Sequence, residues 1–175
     1  RYLDVQNILD KNDLVLQESG CVGSENERGN TYMKKIGIVT DSHSSISQEE
    51  AEKLGIFVLP MPFYIDGECY YESVTLSREL FFEKLAAGAD ITTSQPSPTA
   101  VMEIWDKALE QFEKILYMPI SSGLSGSYET AMMLAKDEAY EGRVLVVDDG
   151  QVAAPLHQMV LDTMDMIEKG YEAEQ

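Results

Sequence analysis

Hydroxyl groups are concentrated in three short segments of the chain: Thr40-Asp41-Ser42-His43-Ser44-Ser45, Thr92-Thr93-Ser94-Gln95-Pro96-Ser97 and Ser121-Ser122-Gly123-Leu124-Ser125-Gly126-Ser127. Each sits where an extended run gives way to helical periodicity, so each reads as a strand-to-helix turn. Hydroxyls at such turns, with the N–H groups of a helix's first turn, offer hydrogen-bond donors without formal positive charge. That chemistry suits a carboxylate or a phosphate. No Lys or Arg occurs in any of the three segments. There is no G-x-x-x-x-G-K run, so a nucleoside triphosphate would lack its lysine, and Gly123 and Gly126 alone do not make a dinucleotide fingerprint. Taken singly, each of these Ser, Thr and Asp residues is explained as a cap. Three such loops together point to a site, because the strand ends of an open parallel sheet converge on one crevice. Asp41 reads as a cap or loop-orienting carboxylate rather than an acid/base group.

The overall charge sets a condition on that site. Thirty-one Asp and Glu against 13 Lys and Arg give a net charge of -18. This field repels a nucleic-acid backbone or an anionic membrane surface, and any anionic ligand must find local donors strong enough to offset it. The two cysteines and two histidines, Cys21, His43, Cys69 and His157, have no metal-ligand spacing, so neither metal nor cofactor is expected. No apolar run approaches 18 residues and no signal segment is evident, so the expectation is a cytoplasmic, reduced protein without stable membrane insertion.

The elements that must position the loops follow from periodicity. Residues 1–33, with a short apolar stretch at Leu14-Val15-Leu16 followed by a polar run over 19–26, read as an N-terminal extension or linker; residues 34–175 read as one α/β domain. Ile36 to Thr40 is a strand, and residues 47–54 form a helix with Ser47 and Glu50 as a capping box and Gly55 at its end. Ile56 to Ile65 is strand-like but interrupted by Pro60 and Pro62, and Asp66-Gly67 turns it into an edge hairpin with residues 68–71. A helix over 77–87 has Leu80, Phe81, Lys84 and Leu85 at helical spacing. Another, capped by Ser97-Pro98, carries Val101, Ile104, Trp105, Ala108, Leu109 and Phe112. A strand over 114–120, a helix over 124–139 with Leu124, Tyr128, Ala131 and Ala135 on one face, a strand over 143–148 and a last helix ending at Gly170 complete the pattern. Alternation of this kind specifies a mostly parallel sheet flanked by helices.

Ile38-Val39-Thr40-Asp41-Ser42, Thr93-Ser94-Gln95-Pro96-Ser97 and Ile120-Ser121-Ser122-Gly123-Leu124-Ser125-Gly126-Ser127-Tyr128 resemble, in order and spacing, the successive motifs of the DegV family. The resemblance covers residues 34 to about 170 and implies a DegV-like N-terminal domain. It also implies binding of a long-chain fatty acid by its carboxylate, and in bacteria its presentation to a separate fatty acid kinase that makes an acyl-phosphate for phospholipid metabolism. A protein of this kind has no catalytic machinery of its own. Thr93 and Ser125 would hydrogen-bond the carboxylate, with Ser94 and Ser122 beside them and Asp41 and Ser42 as the supporting loop. Met, Phe and Leu side chains should line the acyl tunnel, where each buried methylene contributes about 0.8 kcal/mol. The resemblance also leads to the expectation that the family's second domain is absent, with no counterpart after Gln175.

Two rival readings come from other classes. Ser125, Asp148 and His157 occur in the Ser…Asp…His order of a hydrolase, but position 127 is Ser where a nucleophile elbow has Gly, and His157 falls on the solvent side of the last helix. Alternatively, residues 1–33 belong to an upstream domain and the unit is a lipid-sensing interaction module. A lipid titration separates the three, since only the binder holds free fatty acid stoichiometrically.

Overall fold

A computed structural model of the chain describes residues 34–71 and 74–175; the expected extension over 1–33 and Cys21 lie outside them. Four parallel strands, β1 (Lys34–Asp41), β2 (Phe57–Leu59), β6 (Phe112–Met118) and β7 (Val144–Val146), form a sheet in the order β2-β1-β6-β7. The strands alternate in the side chains they send to its two faces, as a pleat buried on both sides requires. Val39, Ile115 and Tyr117 meet helices α3 (Pro98–Leu109) and α4 (Ser127–Leu134) on one face. Ile38, Val58 and Met118 meet α1 (Gln48–Leu54) and α5 (Ala154–Glu168) on the other. Trp105 fills the first core, edge-on to Tyr117 and Tyr140 at centroid distances of 5.4 and 5.2 Å. The fold is therefore the α/β arrangement of a parallel sheet flanked by helices.

A second sheet, absent from the sequence expectation, is inserted between β2 and α3. It has three antiparallel strands in the order β4-β3-β5, with β3 at Pro62–Ile65, β4 at Glu68–Tyr71 and β5 at Ile91–Thr93. Asp66 and Gly67 both take positive φ (51° and 82°), as the tight hairpin turn demands. The expected edge position of the proline-bearing strand does not hold, because β3 is central. Pro62 is accommodated as its first residue, where it lacks an N–H but its carbonyl accepts from Ser94. Helix α2 (Arg78–Ala86) follows this hairpin, capped by the Ser77 hydroxyl. Leu80 and Leu85, two of the residues at helical spacing, are 42% and 48% exposed, while Phe81 packs edge-on to Phe63 at 5.6 Å.

Other boundaries move for local reasons. Phe112 continues the apolar spacing of α3 but begins β6, and its ring lies where a side chain on Gly37 would stand, 2.6 Å from an ideal Cβ. The helix expected over 124–139 is only Ser127–Leu134, since residues 121–126 fold into a hydroxyl-bonded turn; side chain-to-backbone bonds of this kind compete with helix. Leu124 consequently sits in that turn, 65% exposed, instead of on a buried helix face. The strand ends expected at 120 and 148 fall at 118 and 146.

Ala153, at the start of α5, has φ 56° and ψ -132°, a conformation L residues avoid; its N–H donates to the His43 carbonyl at 2.7 Å. Replacing Ala153 with Gly relieves strain of about 1 kcal/mol beyond the entropy glycine adds to the unfolded chain, so Ala153→Gly is expected to raise the urea midpoint. A lowered midpoint would mean that the alanine side chain is stabilising there.

Candidate functional site

The parallel sheet changes winding direction between β1 and β6, and the loops that follow those two strands frame the crevice where such folds bind ligands. Asp41, the last residue of β1, is fully buried there. Its Oδ2 accepts the Ile120 N–H at 2.8 Å, and its Oδ1 accepts the His43 N–H at 2.9 Å with His43 Nδ1 at 3.3 Å. Its carbonyl accepts from the Ser44 hydroxyl at 2.8 Å, and the neighbouring Thr40 hydroxyl donates to the Met118 carbonyl at 2.8 Å. Ser42 Oγ accepts the Met61 N–H at 3.1 Å, tying the same turn to the end of β2. One carboxylate and three hydroxyls thus join the ends of three strands.

The loop after β6 has its own partners. Ser125 and Ser127 share a hydrogen bond between hydroxyls at 2.7 Å, and Ser125 Oγ accepts the Ser127 N–H at 3.2 Å. Ser122 donates both its hydroxyl and its N–H, the latter at 3.2 Å, to the Asp148 carboxylate beyond β7. The Ser122 hydroxyl bond, with support from the Ser122 and Gly150 amides, holds the exposed Asp148 carboxyl below its ordinary value. Burial pushes the adjacent Asp149 carboxyl up against the pull of the Gln151 amide, and the charges of Asp148 and Asp41 raise it further. This edge of the sheet is therefore intrinsically unfavourable to an anion.

The segment 92–97 reaches the crevice from the small sheet rather than from a parallel strand. Gln95 Oε1 accepts from the Thr130 hydroxyl at 3.4 Å and lies 3.1 Å from where a Cβ on Gly126 would stand, which is why a larger residue there would crowd it. Two residues earlier, Thr93 closes a cavity of about 270 Å³ between the small sheet, α2 and the turn after β1. Met61, Pro62, Phe63, Leu76, Phe81, Phe82 and Ile91 give it apolar walls; Ser42, His43, Ser77 and Thr93 supply polar groups. Its volume is close to the lower end of small-molecule sites, about 300 Å³. Ser42 and Ser77 hydroxyl oxygens already accept backbone N–H bonds, leaving each hydroxyl hydrogen to donate.

Of the residues singled out from sequence, Thr93 and Ser42 line the cavity, and Asp41 is buried beneath its rim. Ser125 and Ser122 stand on the adjoining loop, half-buried, and Ser94 is exposed with its hydroxyl on the Gln95 carbonyl at 3.1 Å. The hydrolase constellation does not assemble: Ser125 bonds Ser127, Asp148 bonds Ser122, and His157 Nε2 lies 3.3 Å from Glu50. That pairing also leaves His157 less exposed than its helix position implies. Sequence reasoning passed over His43, whose position two residues after a turn-capping aspartate was the available signal. It also passed over Phe82 and Ile91, which no periodicity marked.

Removing the Asp41 carboxylate strands the Ile120 and His43 amides, so Asp41→Ala is expected to cost about 3 kcal/mol in urea unfolding, against little change if the loops are independently stable. Asp148 has a depressed folded value, so its stabilising contribution is present above the unfolded value and lost as pH falls through the folded one. In Ser122→Ala, carboxyl-carbon NMR should find the Asp148 titration moved upward, toward the ordinary aspartate range.

Comparison with known proteins places this geometry. The family model described as "Uncharacterised protein, DegV family" matches residues 35–175. A DegV domain-containing protein of Caldanaerobacter subterraneus subsp. tengcongensis is 34% identical over 143 residues, 82% of this chain and 51% of that protein. Among solved structures, a DegV family protein from Thermus thermophilus described for its fatty acid binding superposes with a TM-score of 0.72 at 33% identity, covering 80% of this chain and 50% of that one. A stearic acid-binding protein from Eubacterium ventriosum superposes at 0.69 with 26% identity, covering 82% and 50%. The chain thus spans about half the length of each of these three. Among the described residues, no helix is long and apolar enough to cross a membrane.

Proposed function

The chain belongs to the DegV family, and from that premise we propose that it binds a long-chain fatty acid through its carboxylate and presents it to a fatty acid kinase for acyl-phosphate formation. The observation that carries the reading is the cavity, whose apolar walls of Phe63, Phe81, Phe82 and Ile91 share one lining with Thr93, Ser42 and Ser77. An acyl chain enters such a cavity by apolar burial, at about 0.8 kcal/mol per methylene, so the chain supplies affinity and the polar end supplies orientation. A carboxylate without a lysine or arginine partner needs several donors. Thr93 and Ser125 provide two, and Ser94 and Ser122 stand next to them. The relatives described as binding fatty acids support the ligand class.

The presentation step draws its support from the family resemblance and from the exposure of the loops at the carboxylate end. Ser94 is exposed and Ser122 half-buried, so the head group stays within reach of a second protein while the chain is covered. On this reading the protein is a binder working in the cytoplasm, and the phosphoryl chemistry belongs to its partner.

Native mass spectrometry of the purified chain tests the binding directly. A mass increment matching one long-chain fatty acid is expected, with affinity reduced about tenfold or more in Thr93→Ala and in Ser125→Ala, the loss of one hydrogen bond to a charged group. A chain that takes up no added fatty acid overturns the reading.

A further inference from the structure

The two hydroxyls assigned to the carboxylate stand on different parts of the fold. Thr93 ends β5 in the small sheet, where it pairs with Phe63, and Ser125 belongs to the turn between β6 and α4. The small sheet and the parallel sheet share no strand, so strand pairing does not fix the distance between them. A carboxylate presents two acceptor oxygens held in one plane. It can meet both donors at once only if the two loops keep a set separation.

Gln95 crosses that gap. Its Oε1 accepts from the Thr130 hydroxyl on α4 at 3.4 Å. The same oxygen lies 3.1 Å from where a Cβ on Gly126 would stand, so the glycine next to Ser125 lets the amide rest against the turn. Thr130 is tied to that glycine in its own right, since its N–H donates to the Gly126 carbonyl at 3.1 Å. The Gln95 backbone is held on both flanks. On one side the Ser94 N–H donates to the Pro62 carbonyl at 3.3 Å, and on the other the Ser97 hydroxyl accepts the Ala100 N–H at 3.2 Å and starts α3. A side chain rooted in this backbone and resting on Thr130 and Gly126 passes the placement of one loop to the other. Gln95 is exposed and is not part of the cavity lining, so it offers nothing to an acyl chain directly.

We propose that Gln95 is a positioning residue: by spanning the crevice to Thr130 and Gly126 it holds the Thr93 and Ser125 hydroxyls at the spacing of one carboxylate. Thr130 is its counterpart on the far side, and neither residue is itself a ligand. The inference rests on the fatty acid-binding reading and adds to it what keeps the two donors in register.

Equilibrium dialysis of the 175-residue chain with radiolabelled hexadecanoate tests it. Gln95→Ala and Thr130→Ala should each weaken binding about fivefold, the double variant should lose no more than either alone, and Thr130→Ser should stay within about twofold of wild type. In a Ser125→Ala background, where one of the two donors is already gone, Gln95→Ala should cost less than about twofold. Thermal melts of each variant report whether the fold is kept. Wild-type affinity in Gln95→Ala overturns the role of Gln95 while leaving fatty acid binding intact. A full fivefold loss on top of Ser125→Ala also overturns it, because Gln95 would then support the site without regard to the second donor. If the wild-type chain takes up no hexadecanoate, the fatty acid reading falls and the positioning role falls with it.

Discussion

A buried carboxyl group is tolerated inside a fold only where hydrogen bonds meet it. Asp41 meets that condition by bonding along its own chain to His43 and across the sheet to Ile120. The two bonds fix the turn after β1 relative to the loop after β6, at the point where the parallel sheet reverses its winding. Through the carbonyl of His43 the same turn holds Ala153 in a conformation an alanine resists, and through Ser42 it holds the backbone that leads from β2 into the small sheet. The cavity is what remains between these anchored segments and α2.

Two opposed physical demands meet there. The walls contributed by β3, β5 and α2 are apolar, and they favour a long hydrocarbon chain by removing it from water. The sheet edge beneath is acidic, and it disfavours the head group that such a chain carries in a fatty acid. The hydroxyls of Ser42, Ser77 and Thr93 share the cavity lining with those apolar walls. None of them carries a charge of its own, and among the described residues no Lys or Arg lines the cavity.

The parallel core was legible in the sequence because its signals are local. Ser47 and Glu50, Ser97 and Pro98, and the apolar steps from Val101 to Leu109 mark helices that occur where they were expected. Asp66-Gly67 likewise announced its hairpin. What escaped reading depends on tertiary context: β5 is three residues long and becomes a strand only by pairing with β3, and Phe112 belongs to β6 because Gly37 leaves room for its ring. The first two hydroxyl-rich motifs contribute Ser42 and Thr93 to the cavity lining, and the third does not line it. They could not reveal that Ser122 is engaged by Asp148, or that Thr93 alone among the four expected carboxylate ligands lines the cavity, since neither fact follows from spacing along the chain.

The central claim is that one molecule occupies the cavity with its chain against the small sheet and its carboxylate at the loops. Solution NMR with uniformly carbon-13-labelled hexadecanoate tests it most directly. The account predicts intermolecular NOEs from chain methylenes to Phe63, Phe81 and Ile91, with the carboxyl-carbon resonance perturbed by Thr93→Ala. NOEs confined to exposed apolar side chains away from the cavity, such as Leu124 and Met133, with a carboxyl resonance indifferent to Thr93, would contradict it.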